Sequence, residues 1–201
     1  MHVALYGGSF NPPHVAHQMA ALYVLETAPV DALWLIPAFR HALGKPLQPF
    51  EDRLEMCRLA AAALGPRVEV SDVERAIGGA SRTIYTLRRL RELHPGHDFS
   101  VVIGADLVAE VPSWLGGEEL QRTVPFIVVG RGQAAGAEDR VSMPALSSSA
   151  VRDRLAAGES AAGLVPRAVL DYIYARGLYR AAKPAETPPS TPHQKEHKEP
   201  Q

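Results

Sequence analysis

Two histidines, His14 and His17, stand three positions apart directly after Gly7-Gly8-Ser9-Phe10-Asn11-Pro12-Pro13. On the first turn of a helix that spacing turns both imidazoles to one side, beside a loop whose glycines let backbone approach a ligand closely. A helix N-terminus adds free N–H groups and partial positive charge, so the natural guest is a nucleotide phosphate. Three readings compete for the pair: a phosphate clamp, half of a metal site completed by a residue such as Asp106, and structural imidazoles at partly buried positions. The stretch matches neither G-x-G-x-x-G nor G-x-x-x-x-G-K-[ST], and a plain tight turn is the alternative for its glycines. The placement of the pair after a strand and a Gly-Gly turn favours the clamp.

A second constellation is Leu146-Ser147-Ser148-Ser149-Ala150-Val151-Arg152. Serines ahead of apolar-periodic residues mark a helix start, where simple capping is the plain reading. Capping is compatible with a further role, because hydroxyls, N–H groups and Arg152 one turn in offer donors to β- and γ-phosphates. Gly104 and Asp106 close an apolar run, where the carboxylate suits a ribose hydroxyl or a helix N-cap. Trp114, after Pro112-Ser113, offers an indole to an aromatic ring or to the core; Trp34, inside ALWLI, reads as core. Between Pro37 and Lys45 a loop carries Arg40, His41 and Lys45, charges that could close over a triphosphate or remain solvated.

The elements that must position these groups alternate in type. His2–Tyr6, Ala32–Ile36, Arg67–Ser71, Ser100–Gly104 and Val124–Gly130 read as strands, with Val141-Ser142-Met143 as a last one. His14–Ala28, Phe50–Leu64, Arg82–His94 (capped by Ser81), Ser147–Ala157 and Pro166–Arg176 read as helices. Such alternation predicts an α/β fold: a mainly parallel sheet with helices on both faces, its ligands beyond the carboxyl ends of the strands. The chain has 201 residues, 46% hydrophobic and 21% charged, enough for one sizeable core. A domain over 1–180 and a disordered tail over 181–201 are expected, since Lys183–Gln201 has five prolines and no large apolar residue. Its His193 and His197 read as solvated rather than metal-binding.

A formal charge of −1 gives no bulk attraction to nucleic acid or to an anionic membrane. The lone cysteine, Cys57, excludes an intramolecular disulfide and a cysteine metal cluster. No apolar stretch is long enough to cross a membrane, and MHVALYGGSF lacks the marks of a signal peptide. A cytoplasmic protein without nucleic-acid or membrane partners is expected; the oligomeric state is left open.

Taken together, GGSFNPPHVAH at 7–17 resembles the signature of the adenylyltransferase/cytidylyltransferase superfamily, and LSSSAVR at 146–152 resembles its second, phosphate-binding motif. Within it the chain is similar, from about Met1 to Tyr179, to bacterial nicotinate-nucleotide adenylyltransferases. The matching residues include Gly104, Asp106 and Trp114, and Asp72-x-Glu74 followed by Ser81-x-Thr83 and Thr86-Leu87. The resemblance implies a Rossmann-like sheet, Mg²⁺, and transfer of AMP from ATP to nicotinate mononucleotide with release of pyrophosphate. It implies catalytic roles for His14, His17, Lys45 and Arg152, and ATP contacts from Gly7, Gly8, Ser9, Phe10, Gly104, Asp106, Ser147 and Ser148. Asn11, Arg82, Thr83 and Trp114 would serve the acceptor, and no side chain would form a metal site or a covalent intermediate.

The chain departs from the family pattern at Ala16, usually Gly. Arg82 and Tyr85 replace an aromatic and an acid near the acceptor pocket, and His41-Ala42-Leu43-Gly44-Lys45 replaces Pro-Pro-His-Lys. The acceptor is the feature these changes touch. Alternatives are a sister transferase acting on phosphopantetheine or another phosphorylated acceptor, a silent nucleotide-binding protein, and a zinc hydrolase using His14 and His17.

Overall fold

The computed structural model describes residues 1–130 and 143–180. The expected tail, its His193 and His197, and Val141-Ser142 of the expected last strand lie outside the described residues. Met143 is described, and its N–H donates to the Gly130 carbonyl at 3.1 Å.

Five parallel strands form one sheet in the order β3-β2-β1-β4-β5: β1 (His2–Gly8), β2 (Ala32–Pro37), β3 (Val68–Val70), β4 (Asp98–Gly104) and β5 (Phe126–Val129). Helices α1 (Val15–Thr27) and α2 (Phe50–Ala62) cross between the first three strands. Then come α3 (Val73–Ile77), α4 (Thr83–Leu93), a 3-10 stretch (Ala105–Ser113), α5 (Gly117–Thr123), α6 (Ser148–Ala156) and α7 (Arg167–Arg176). This is the expected α/β fold with a Rossmann-like sheet.

Side chains alternate across the sheet because successive strand residues point to opposite faces. Ala4, Tyr6, Leu33 and Leu35 face α1 and α2, packing on Ala21, Val24 and Cys57. Val3, Leu5, Trp34 and Ile36 face α3, α4 and α5, packing on Val73, Ile84, Leu87 and Leu120. A third cluster joins α2 to α6 and α7 through Met56, Ala60, Val151, Val169 and Ile173. Trp34 is buried, as its apolar setting predicts.

Three short elements, α3, the 3-10 stretch and α5, have no counterpart in the periodicity reading. Ser81 does not cap α4: Arg82 occupies the N-cap, and the Ser81 hydroxyl instead accepts the Phe39 N–H at 2.9 Å. That bond joins the β2–α2 loop to the start of α4.

Candidate active site

The strands around β1 determine where the site opens. β1 stays paired with β2 as far as Gly8 and Pro37, and β4 with β5 as far as Gly104 and Val129. The ladder between β1 and β4 ends earlier, at Leu5 and Val101. Beyond that pair the two central strands separate, which is the crevice expected where strand order reverses in an open parallel sheet. Two hollows meet there and share Tyr6, Val102, Ile103 and Gly104 as their common wall.

On the α1 side lies the small hollow lined by His14, His17, Ala16 and Gly104. His14 is the N-cap of α1, and its backbone N–H donates to Nδ1 of His17 at 3.1 Å. With Nδ1 accepting, a neutral His17 ring carries its proton on Nε2. The two rings stack with centroids 3.7 Å apart. Phe10 sits beneath them: its ring is 1% exposed and lies 5.0 Å from the His17 ring and 5.7 Å from Tyr6, centroid to centroid. Phe10 therefore supports the loop from below with a backbone at φ 44.

The glycines differ in what they permit. A Cβ on Gly8 would come 3.1 Å from the Phe10 ring, so a side chain here would require the ring to give by a few tenths of an ångström. At Gly7 a Cβ would meet nothing within 4 Å, so this backbone borders open space where a ligand can approach.

Helix α6 is docked on the same loop. Ser148 Oγ donates to the Pro12 carbonyl at 2.8 Å, and Arg152 Nη1 to the Asn11 carbonyl at 2.9 Å. Ser147 is the N-cap, its hydroxyl accepting the Ala150 N–H at 3.2 Å, so the capping reading holds for this residue. Neither α1 nor α6 has an acidic residue in its first turn, so neither N-terminal partial positive charge is cancelled locally. Sequence positions 14–17 and 147–152 thus converge on one loop.

On the α4 side is a larger cavity of about 250 Å³. Gly7, Gly8, Ser9, Arg82, Thr83 and Trp114 line it together with Glu74 and Thr86. Thr83 opens α4, whose first turn also lacks an acid. The Asp106 carboxylate is exposed in the first turn of the 3-10 stretch, where Gly104 is the N-cap, so Asp106 is not the cap.

Two expected residues stand apart. Asn11 is buried and its side-chain oxygen accepts the Tyr179 hydroxyl at 2.9 Å and the Gln48 N–H at 3.2 Å, so it braces the loop and does not line the cavity on the α4 side. Lys45 is exposed and borders a separate hollow with Arg40, Leu47 and Phe50. Among the described residues no three His, Cys, Asp or Glu side chains converge as metal ligands, so Asp106 does not complete a site with His14 and His17.

The sequence reading missed Arg53, a side chain 1% exposed. Its Nε donates to the Gln48 carbonyl at 2.9 Å, Nη1 to Ser9 at 2.9 Å and Nη2 to Phe39 at 3.2 Å. Burial pulls its pKa below the ordinary arginine value, while Cys57 and Tyr179 oppose that shift. The signal for it was positional: Arg53 precedes Cys57 by four residues, and so shares the buried stripe of α2.

The Cytidylyltransferase-like family profile matches residues 5–154. A protein of Anaeromyxobacter sp. (strain K) named as a nicotinate-nucleotide adenylyltransferase is 49% identical over 180 residues, covering 89% of this chain and 96% of that one. A similarly named protein of Myxococcus xanthus (strain DK1622) is 39% identical over 178 residues, covering 88% and 94%. Plasmodium falciparum nicotinic acid mononucleotide adenylyltransferase complexed with NaAD shares the fold, with TM-score 0.74 and 24% identity over 89% of this chain and 97% of that chain. With 49% identity over 89% of its length, this chain belongs to the nicotinate-nucleotide adenylyltransferase family, within the cytidylyltransferase-like group.

Proposed function

We infer that the protein transfers AMP from ATP to nicotinate mononucleotide, forming nicotinate adenine dinucleotide and pyrophosphate in NAD biosynthesis. The observation that carries this reading is the parting of β1 and β4 after Leu5 and Val101, with a donor-rich hollow on one side and the acceptor cavity on the other. Two nucleotides approaching the crevice from its two sides bring their phosphates together over Gly7 and Gly104.

In this reading an oxygen of the acceptor phosphate attacks the α-phosphorus of ATP in line. The new P–O bond forms as the bond to the bridging α,β-oxygen breaks, and pyrophosphate leaves with that electron pair. The protein's part is positioning and neutralisation of charge. His17 Nε2–H and His14 donate to the phosphates, as do the open N-termini of α1 and α6. Ser147, Ser148 and Arg152 attend the β/γ end, and Gly104 with Asp106 the adenosine ribose. Gly7, Gly8 and Ser9 offer backbone to the phosphates, whereas Phe10 and Asn11 act by holding that backbone in place. Lys45 reaches the triphosphate when the loop that carries it closes.

A divalent cation, Mg²⁺, accompanies the triphosphate. There it would be held by phosphate oxygens and water, in keeping with the preference of this ion for those ligands. Its chemistry there is neutralisation of negative charge.

The pyridine ring rests on Trp114. Its carboxylate meets the N-terminal N–H groups of α4 at Thr83 and the Arg82 guanidinium, two partners that favour an acid over an amide. The catalytic unit spans residues 1–180, and the setting is the cytoplasm. The test is pyrophosphate release from ATP with nicotinate mononucleotide, its amide and phosphopantetheine offered separately. Release with the first and at least about tenfold less with the second supports the reading; release with phosphopantetheine alone overturns it.

A further inference from the structure

The acceptor cavity contains a buried carboxyl group without a task in the reading above. Glu74, the second residue of α3, is 4% exposed and lines the cavity with Thr83 and Thr86. One of its carboxylate oxygens accepts a hydrogen bond from the Thr86 hydroxyl. The other, Oε2, is buried and meets no donor among the described residues. The neighbouring Arg75 pairs instead with Glu51 at 2.7 Å and Asp72 at 3.8 Å.

A buried carboxylate oxygen left without a donor is costly, and a ligand that brings one relieves that cost. Nicotinate mononucleotide has few donors to bring. Its pyridine carboxylate and ionised phosphate only accept, which leaves the ribose 2′- and 3′-hydroxyls. We propose that Glu74 Oε2 accepts a hydrogen bond from a ribose hydroxyl of the mononucleotide acceptor, so that Glu74 selects ribonucleotide over deoxyribonucleotide. The Thr86 hydroxyl orients the carboxylate by holding its other oxygen. This assignment rests on the acceptor named under the proposed function and adds a ribose contact to it.

The experiment compares nicotinate mononucleotide with its 2′-deoxy and 3′-deoxy analogues, first in the wild-type protein and then in Glu74→Gln. In the wild type one deoxy analogue should lose on the order of tenfold or more in kcat/KM. In Glu74→Gln, checked for folding by thermal melting, that gap should narrow to about threefold or less. If Glu74→Gln does not fold, Glu74→Asp, which keeps the charge but withdraws the oxygen, should narrow the gap in the same way. Equal use of all three acceptors by the wild type overturns the assignment. So does an unchanged gap in the folded variant, or a change only in the preference for acid over amide, which would place Glu74 against the ring substituent. Failure of the wild type to use nicotinate mononucleotide at all overturns the functional reading and this proposal with it.

Discussion

The backbone N–H of His14 donates to Nδ1 of His17 at 3.1 Å, so the first turn of α1 fixes the tautomer of a neutral His17 ring, with its proton on Nε2. In the proposed mechanism each of the two histidines donates to charge that grows in the transition state, so replacing either with Ala should lower kcat on the order of 10²–10³-fold. Steady-state pyrophosphate release, read beside a thermal melt, checks this. A folded variant that keeps near-full turnover removes that histidine from the chemistry.

Arg53 ties Ser9 of the first loop to Phe39 and Gln48 of the β2–α2 loop through three backbone carbonyls. In Arg53→Met those carbonyls lose their donors, at a cost of about 1–3 kcal/mol for each one left buried. Stability should drop by several kcal/mol in denaturant titration, and the KM for ATP should rise as the loop loosens. Arg53→Lys should recover only part, because an ammonium cannot reproduce the guanidinium fork. Unchanged stability and KM in Arg53→Met would show that the loops hold without it.

Tyr179 donates its hydroxyl to Asn11 Oδ1 at 2.9 Å, and burial raises its pKa above the ordinary tyrosine value. A raised folded pKa leaves stability intact below the unfolded pKa of about 10 and erodes it as pH climbs toward the folded value. Burial raises the Cys57 thiol as well, which starts a similar loss above about pH 8.5. Chemical denaturation from pH 7 to 11 should therefore show falling stability, with a shallower fall in Tyr179→Phe. A flat profile in the wild type would contradict the burial of both groups.

Much of this architecture was legible because long periodic segments such as His14–Ala28 and Phe50–Leu64 show their faces in sequence. The short α3 and α5 did not, since five and seven residues give too few turns to establish a period. Ser81 has the residue type of a cap, but a tertiary bond to Phe39 claims its hydroxyl, and local pattern carries no information about such a partner. The glycines and histidines of the first loop marked it in the sequence as a candidate phosphate site. What holds that loop was not legible: Asn11 read as an acceptor contact and Arg53 drew no reading, while in the fold Arg53 donates to the Ser9 carbonyl and Asn11 accepts the Tyr179 hydroxyl. Gly104 and Trp114 were found through a motif, and only the strand order shows that Gly104 borders both hollows.

Trp114 and Arg82 line one cavity, and they should fail differently. Trp114→Ala removes the stacking surface for any pyridine and should raise KM for acid and amide acceptors alike. Arg82→Ala removes a cation that only the acid can pair with, and should narrow the acid-to-amide ratio in kcat/KM, by about tenfold for 1.4 kcal/mol lost. Competition between the two acceptors in each variant checks both. An unchanged ratio in Arg82→Ala would leave discrimination to the α4 N-terminus alone.

The most direct measurement follows the α-phosphate. ATP labelled at that phosphorus is incubated with nicotinate mononucleotide and Mg²⁺, and the labelled products are separated and quantified against pyrophosphate. The account predicts label in nicotinate adenine dinucleotide, in equal amount to the pyrophosphate released and lost when His14 and His17 are both replaced by Ala. Label remaining in ATP, or released as free AMP or ADP with no dinucleotide formed, would contradict it.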